Sequence, residues 1–352
     1  MNKYCVLVAG GTGGHINAAI ALGERLSLLG YEVDFLTGQR PLDYKLFKNK
    51  SATHLSSWPL RTKNPFKLVA SLVKNFIVFL KIWLRFLGRK PSFVIGAGGY
   101  VCGPTLLAAK LVGSPIFIIE QNAVMGVTNR YLAKVANLIF VHFKNTKNLP
   151  AGMLSKTKVV GNHIRQSIKY TAPLPTHKPL RVLVFGGSLG ATQINKAIDG
   201  YLKNYPDLSL EIVHQTGSDE NTSDDHRIKK YKYLDEIQEN YNWCDIIVAR
   251  AGASTVAELR IVAKPVLLIP FPAATDNHQW WNALSLRDEK RFTVEVFDPK
   301  DTDGKLLDQL NIFLRNSMQG LYHTSHSVPQ VVDSGEALLS EIFQYVGITQ
   351  KT

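Results

Sequence analysis

Residues 180–191, LRVLVFGGSLGA, repeat the layout of residues 4–15, YCVLVAGGTGGH. At an offset of 176, Val6-Leu7-Val8 falls on Val182-Leu183-Val184, Gly10-Gly11 on Gly186-Gly187, Thr12 on Ser188 and Gly14 on Gly190. Each copy is a short apolar, β-branched run that meets glycines. The first leads into AAIALGERLSLLG, helical in spacing and ended by Gly30, so the unit reads strand, tight turn, helix. Working outward, the alternation continues through YEVDFLTG, PSFVIGAGG, PTLLAAKLVG and SPIFIIEQN. After the second copy it runs through LSLEIVHQTG, CDIIVARAG, a helix from about Thr255, KPVLLIPFP and a helix through Trp280 and Trp281. Continuously apolar strands separated by helices predict parallel sheets covered on both faces. The expected architecture is α/β, with two Rossmann-like domains duplicated on one scaffold. The proline-bearing stretch at residues 170–179, YTAPLPTHKP, breaks the pattern. The expected division is 1–165 and 166–335, with a terminal helix over about 336–352 packing back on the first domain.

Composition supports two ordinary folded domains. The chain has 352 residues, enough for two cores, and 45% apolar with 20% charged residues is a globular mixture. Cys5, Cys102 and Cys244 show no CxxC pairing, which fits buried thiols in a reducing compartment. The apolar run at the N-terminus is too short for a signal peptide, so a cytosolic location is expected. The net charge of +13 conceals an asymmetry: residues 44–198 hold 23 Lys and Arg against one acid, Glu120, whereas residues 199–352 hold 15 bases against 23 acids. A first half this positive is drawn to anionic surfaces: phospholipid, nucleic acid or pyrophosphate.

The apolar segment at residues 68–87 approaches the length of a membrane span but is interrupted by charge. Lys67, Lys74 and Lys81 recur every seven residues and Arg85 lies one turn further, so the four fall along one helical stripe. Phe76, Phe79, Trp83 and Phe86 occupy the rest. Spanning would bury lysines at about 2.5 to 3.5 kcal/mol each, so contact in the headgroup plane is the cheaper arrangement. A helix docked in the core is the alternative.

A glycine-rich turn between strand and helix lets backbone amides approach a phosphate in the field of the helix dipole. GGTGGH, GGSLGA and a third loop, GAGGYVCGP at residues 96–104 ahead of a helix near Pro104, all have that form. No Gly-Lys-Ser/Thr follows, and Ile16 replaces the third glycine of a dinucleotide fingerprint, so Walker and nicotinamide chemistry are disfavoured. Asp34 then reads as a strand-end surface residue. Ligands of open α/β sheets bind outside the strand carboxyl ends, where these loops lie.

GGTGGH, GGYVCGP, EQN, VGNHIR, GGSLGA, ARAGASTVAE and HQWWNA, in this order over residues 6–283, resemble the MurG family. The resemblance implies a GT-B type fold, with two domains facing a cleft. It also implies inverting transfer of N-acetylglucosamine from its UDP conjugate to the 4-hydroxyl of undecaprenyl-pyrophosphoryl-muramyl-pentapeptide, at the cytoplasmic face of a bacterial membrane. By the same resemblance the donor site comprises Thr12, Gly13, Gly14, Asn122, Arg165, Ser188, Leu234, Ala253, Ser254, Thr255, Val256, Ala257, Glu258 and Gln279. Leu234 would meet uracil through its backbone, Glu258 the ribose hydroxyls, Ser188 and Arg165 the diphosphate, and Asn122 and Gln279 the sugar. Gly99 and Tyr100 are assigned to the acceptor, and Lys74, Lys81, Trp83 and Arg85 to an anionic membrane surface. The family often has a histidine where Ile119 stands, and a proline soon after His15 where this chain reads Ile16-Asn17-Ala18-Ala19.

Several of these residues have structural alternatives. Glu258 follows Thr255 by three, so the pair reads equally as a helix capping box. Asp276 or Asn277 is expected to cap the next helix and leave Gln279 in water. His15, exposed at a helix start, is the candidate base; bonding its own loop backbone is the alternative. Asp301-Thr302-Asp303 reads as a helix cap rather than a metal motif, and no metal or other cofactor is required. Rival functions are transfer to another lipid such as diacylglycerol, sugar-nucleotide epimerisation, or a non-catalytic basic protein on membrane or nucleic acid. No nucleic-acid partner is expected.

Overall fold

The computed structural model describes residues 3–48, 50–60, 62, 64–162, 167–170, 178–187, 190–217, 225–324 and 334–348. The chain divides into two compact units, Met1–His163 with Val332–Thr352, and Ile164–Val331.

The first unit contains strands β1 (Tyr4–Val8), β2 (Glu32–Thr37), β3 (Ala52–His54), β4 (Val94–Gly96), β5 (Ile116–Glu120), β6 (Leu138–Val141) and β7 (Thr157–Val159). Its helices are α1 (Gly13–Leu28), α2 (Pro41–Leu46), α3 (Pro65–Gly88), α4 (Cys102–Leu111), α5 (Val127–Leu132) and, from the end of the chain, α11 (Ser334–Tyr345). The sheet is wholly parallel in the order β3-β2-β1-β4-β5-β6-β7. Because strand side chains alternate, β1 feeds two cores. Tyr4, Val6 and Val8 join α3, α4 and α5 on one face, while Cys5 and Leu7 join α1 and α11 on the other. On that second face α11 contributes Leu338, Leu339, Ile342 and Phe343, and Phe343 stacks on Tyr31 with centroids 5.6 Å apart.

The second unit contains β8 (Leu180–Phe185), β9 (Leu210–Gln215), β10 (Ile228–Tyr231), β11 (Ile246–Ala249), β12 (Val266–Leu268) and β13 (Val294–Val296). Its helices are α6 (Thr192–Asn204), α7 (Ile237–Trp243), α8 (Ala253–Val262), α9 (His278–Arg287) and α10 (Asp303–Met318). Its strands are also all parallel, in the order β10-β9-β8-β11-β12-β13. The central order of the first sheet is therefore repeated. In each sheet the order reverses beside the first strand, between β1 and β4 and between β8 and β11. Successive crossovers leave to opposite faces there and open a crevice at the carboxyl ends of those strands.

The apolar segment is a single helix, α3, begun by Asn64, whose side chain accepts from Lys67 N at 3.1 Å, with Pro65 in the first turn. Ser71, Val78, Ile82 and Phe86 are buried, and Phe79 and Trp83 pack half-buried against the same core. Trp83 is thus a packing residue. The opposite face stays apolar and exposed through Phe66, Val69, Val73, Phe76, Leu84 and Leu87. Lys67, Lys74 and Lys81 line its edge, with Lys74 Nζ 3.4 Å from the centroid of the Trp58 ring. Arg85 departs from the expected stripe: it pairs with Asp34 at 2.6 Å and bonds Thr53 Oγ1. That pairing also corrects the reading of Asp34, which is no surface residue. It lies within β2, accepts from Tyr4 Oη at 3.1 Å, and burial raises its carboxyl above the usual range against the pull of Arg85. Among the described residues no helix is long and apolar enough to cross a membrane. The three cysteines are buried and free.

Candidate functional site

Of the glycine loop after β8, the second unit describes Gly186, Gly187 and Gly190; Ser188 and Leu189, like Arg165, lie outside the described residues. Gly187 and Gly190 adopt φ of +91° and +70°. A Cβ on Gly190 would stand 1.8 Å from the Thr216 carbonyl oxygen, so the loop touches the end of β9 backbone to backbone. Gly190 N closes the turn on Gly187 O at 2.9 Å. The same carbonyl accepts from Nε2 of Gln215 at 2.8 Å, and Oε1 of Gln215 accepts from Leu234 N at 2.9 Å. One buried amide at the tip of β9 therefore ties the loop to Leu234.

The loop after β11 leads into α8. Its cap position is Gly252 and the helix begins at Ala253, two residues before the expected start. This removes the capping-box alternative: Thr255 stands inside the first turn and Glu258 is too far along to reach the cap amide. Glu258 is instead 6% exposed, and Oε2 accepts from the Tyr241 hydroxyl at 3.0 Å. Ser254 is exposed and Ala253 and Thr255 are half-buried at the helix start, whereas the side chains of Val256 and Ala257 belong to the core, leaving only their backbone for a ligand.

Beside α8, Asp276 and Asn277 both take left-handed backbone, and Asn277 occupies the cap position of α9 without a side-chain cap bond. Asn277 therefore does not supply the expected side-chain cap. Gln279 does not simply face water: its Oε1 accepts from Phe271 N at 2.9 Å, so the amide is oriented with its NH2 end as the remaining group. Arg250 braces the same strip, donating to Ile269 O, Pro270 O and Gln193 Oε1. Burial lowers its guanidinium to about 10. Thr302 caps α10, accepting from Lys305 N.

In the first unit two loops interlock. Gly10 N donates to Gly98 O at 3.1 Å, and a Cβ on Gly99, whose φ is +92°, would lie 2.3 Å from Gly10 O. Thr12 caps α1, its hydroxyl accepting from His15 N at 3.4 Å. His15 is half-buried rather than exposed, because its ring fills the space a Cβ on Gly98 would need. Its Nδ1 stands 3.2 Å from Gly10 O. A carbonyl only accepts, so in the neutral ring this contact puts the proton on Nδ1 and leaves Nε2 as the acceptor nitrogen. The missing proline does no harm to the helix: α1 is continuous, with Ile16, Ala18 and Ala19 buried. Asp43, fully buried, accepts from Gly11 N and Arg40 N, and the Arg40 guanidinium lies 5.0 Å from the Tyr100 ring centroid.

Asn122 follows β5. Both its backbone amide and its Nδ2 donate to Glu120 Oε1, while Gly126 N and Asn129 Nδ2 donate to Oε2. Glu120 is thus a buried acceptor that fixes the asparagine, and Ile119 is core. Sequence reasoning missed Gln215, Tyr241, Arg250 and Glu120 as organisers. Each is an ordinary residue at a strand end or on a short helix, and only the burial of a polar group distinguishes it. Among the described residues no three His, Cys, Asp or Glu side chains group as a metal-binding cluster.

Two all-parallel α/β units with glycine loops at both switch points match the Glycosyltransferase family 28 N-terminal domain over residues 5–141 and the family 28 C-terminal domain over residues 181–335. They define a glycosyltransferase of GT-B type. Similar full-length proteins are the UDP-N-acetylglucosamine--N-acetylmuramyl-(pentapeptide) pyrophosphoryl-undecaprenol N-acetylglucosamine transferases of Rickettsia canadensis and Rickettsia bellii. The first is 32% identical, covering 98% of this chain and 99% of its own length; the second is 34% identical, covering 97% and 99%. The crystal structure of Acinetobacter baumannii MurG is 26% identical with a TM-score of 0.75, covering 97% of this chain and 99% of that one. The chain belongs to the MurG family.

Proposed function

We infer that the chain transfers N-acetylglucosamine from UDP-N-acetylglucosamine to the 4-hydroxyl of undecaprenyl-pyrophosphoryl-N-acetylmuramyl-pentapeptide, the glycosyl transfer that completes the lipid-linked disaccharide of peptidoglycan. The observation that carries the site assignment is that Gln215, ending β9, bonds both Gly187 of the glycine loop and Leu234, while Glu258 is joined through Tyr241 to Phe185 at the root of that loop. The donor is assigned to this second unit. The uracil meets the Leu234 backbone, the ribose diol meets Glu258, and the diphosphate meets the loop amides and the start of α8. Ser188 and Arg165 are assigned to the diphosphate and Asn122 and Gln279 to the sugar on the family resemblance. The acceptor's pyrophosphate is assigned to the first unit near Gly99 and Tyr100, where Arg40 adds a cation. The leaving charge is met by helix amides and these side chains, and the scheme requires no cofactor.

The 4-hydroxyl oxygen forms its bond to the anomeric carbon on the face opposite UDP as the bond to the diphosphate oxygen breaks, inverting α to β. Its proton passes to Nε2 of His15, the nitrogen left with a lone pair by the bond of Nδ1 to Gly10 O. The lipid tail of the acceptor implies an enzyme seated on the cytoplasmic face of the cell membrane. The exposed apolar face of α3, edged by Lys67, Lys74 and Lys81, is assigned to an anionic bilayer.

The deciding experiment is transfer of labelled N-acetylglucosamine to a lipid-linked muramyl-peptide by the native chain, His15→Ala and Glu258→Ala. The native chain transfers. His15→Ala loses kcat by about 100-fold or more at unchanged donor KM, and Glu258→Ala loses mainly donor affinity. Absence of transfer by the native chain sinks the reading.

A further inference from the structure

Two buried polar side chains from different helices meet behind the loop that follows β11. Tyr241 on α7 has no exposed surface, Glu258 on α8 has 6%, and the tyrosine hydroxyl donates to Oε2 of the acid at 3.0 Å. A carboxylate this deep persists as an anion only among donors, and a phenol O–H on a carboxylate is a charge-assisted bond that fixes the acid's plane. The tyrosine is itself fixed. Its ring packs edge-on against Phe185, centroids 6.2 Å apart at 69°. Phe185 ends β8 immediately before Gly186, and its carbonyl accepts from Arg250 N at 3.3 Å. A single side chain thus touches the root of the phosphate loop with its ring and the acid of the next loop with its hydroxyl.

We propose that Tyr241 is a positioning residue for nucleotide recognition: its hydroxyl holds the Glu258 carboxylate in the orientation that accepts from a vicinal diol, and its ring keys that orientation to the glycine loop. The proposal rests on the assignment of Glu258 to the ribose. Two diol hydroxyls need two acceptor sites held in one geometry, and an acid that rotates about its last torsion presents them only part of the time. Locking the carboxylate before the ligand arrives removes an ordering cost from binding. Without the phenol oxygen the acid remains but loses the donor that fixes Oε2.

The test uses the full chain with Tyr241→Phe, which keeps the ring. KM for UDP-N-acetylglucosamine rises roughly tenfold, the size of one lost hydrogen bond to a charged group. The kcat and the KM for the lipid acceptor stay within about twofold. Inhibition by UDP and by 2′-deoxy-UDP supplies a ratio that does not depend on the fraction of protein folded, so a loss of stability in the variant leaves the reading intact. Wild type prefers UDP strongly, and Tyr241→Phe narrows that preference. In a Glu258→Gln background, Tyr241→Phe changes KM by less than about twofold, because the two residues act as one unit. The proposal is overturned if Tyr241→Phe keeps the wild-type ratio, or if its loss is undiminished beside Glu258→Gln. If Glu258→Gln itself leaves the ratio at the wild-type value, the ribose assignment falls and the proposal with it.

Discussion

The two duplicated glycine loops are held by different chemistry. After β1, the loop is held by a buried carboxylate, Asp43, and by interlocking with a second glycine loop across which His15 lies. After β8, the loop is held by a neutral amide, Gln215, and by direct backbone contact at Gly190. The first arrangement sets one cation at its rim, Arg40 over Tyr100. The second unit holds Glu258 buried, its Oε2 accepting from the Tyr241 hydroxyl. A repeated strand–turn–helix scaffold, whose helix begins three residues later in the second copy, is thus held differently by residues outside the repeat, and the second copy is the one we assign to the nucleotide. By unit, Met1–His163 with Val332–Thr352 carries 22 Lys and Arg against 8 Asp and Glu, whereas Ile164–Val331 carries 19 against 20.

Both loops are most sensitive at their glycines. Gly190→Ala places a Cβ 1.8 Å from a carbonyl at a positive φ and forces β9 and the loop apart. It is expected to cost about 4 kcal/mol or more and to abolish UDP binding. Gly99→Ala, at 2.3 Å from Gly10 O, damages the first unit similarly but leaves UDP affinity near wild type. Calorimetric titration with UDP beside thermal melts separates the two; equal loss of UDP binding in both would erase the distinction between the loops.

The next effect is confined to the second unit and is read by pH. His214 is buried on β9. Its Nε2 faces Asn195 Oδ1, and its Nδ1 has no partner among the described residues, so the protonated ring has nowhere to place its second N–H. Burial, with Lys230 adding repulsion, lowers its pKa from 6.5 to about 4. The unfolded chain then binds the proton first, so stability is full above about 6.5 and drains as pH falls toward 4, by about 3 kcal/mol in all. Denaturant melts of wild type and His214→Gln across that range provide the check; parallel curves would remove His214 as the cause.

Smaller changes probe the two braces. Asp43→Asn, which replaces one of the two carboxylate oxygens that accept from Gly11 N and Arg40 N by a donor, is expected to cost about 1 to 3 kcal/mol of stability without affecting UDP affinity. Gln215→Leu should cost a similar amount and weaken UDP as well, because it frees Leu234 and Gly187 together. Urea titration with UDP binding measures both. Smallest is the surface effect: Lys81→Ala weakens binding to vesicles containing anionic lipid by roughly fivefold and leaves neutral vesicles unaffected. Flotation assays would expose an error here if the loss were the same on both.

The sequence was most informative where local pattern and tertiary outcome coincide. Apolar runs locate β1, β2, β4 and β5 of the first sheet and β8, β9, β11 and β12 of the second, since a strand covered on both faces is apolar along its whole length, whereas the interior strand β6 goes unread. The same pattern misplaced helix starts. Gly252 and Ala253 open α8 because the backbone turns there, although Thr255 and Glu258 have the spacing of a cap. Asp34 and Arg85 lie 51 positions apart, and the ion pair that takes Arg85 from the lysine stripe of α3 is invisible without the β2–α3 contact.

What the sequence by itself determined is the duplicated scaffold, the position of its glycine turns and the uneven charge of its halves, because these depend on periodicity and backbone freedom within a few residues. Tertiary structure alone decided how the turns are used. Whether a glutamate is a helix cap or an oriented acceptor, and whether an arginine faces solvent or an aspartate, depends on which polar groups are removed from water together. That is fixed by packing between separate elements: β9 with β8, α7 with α8, and β2 with α3.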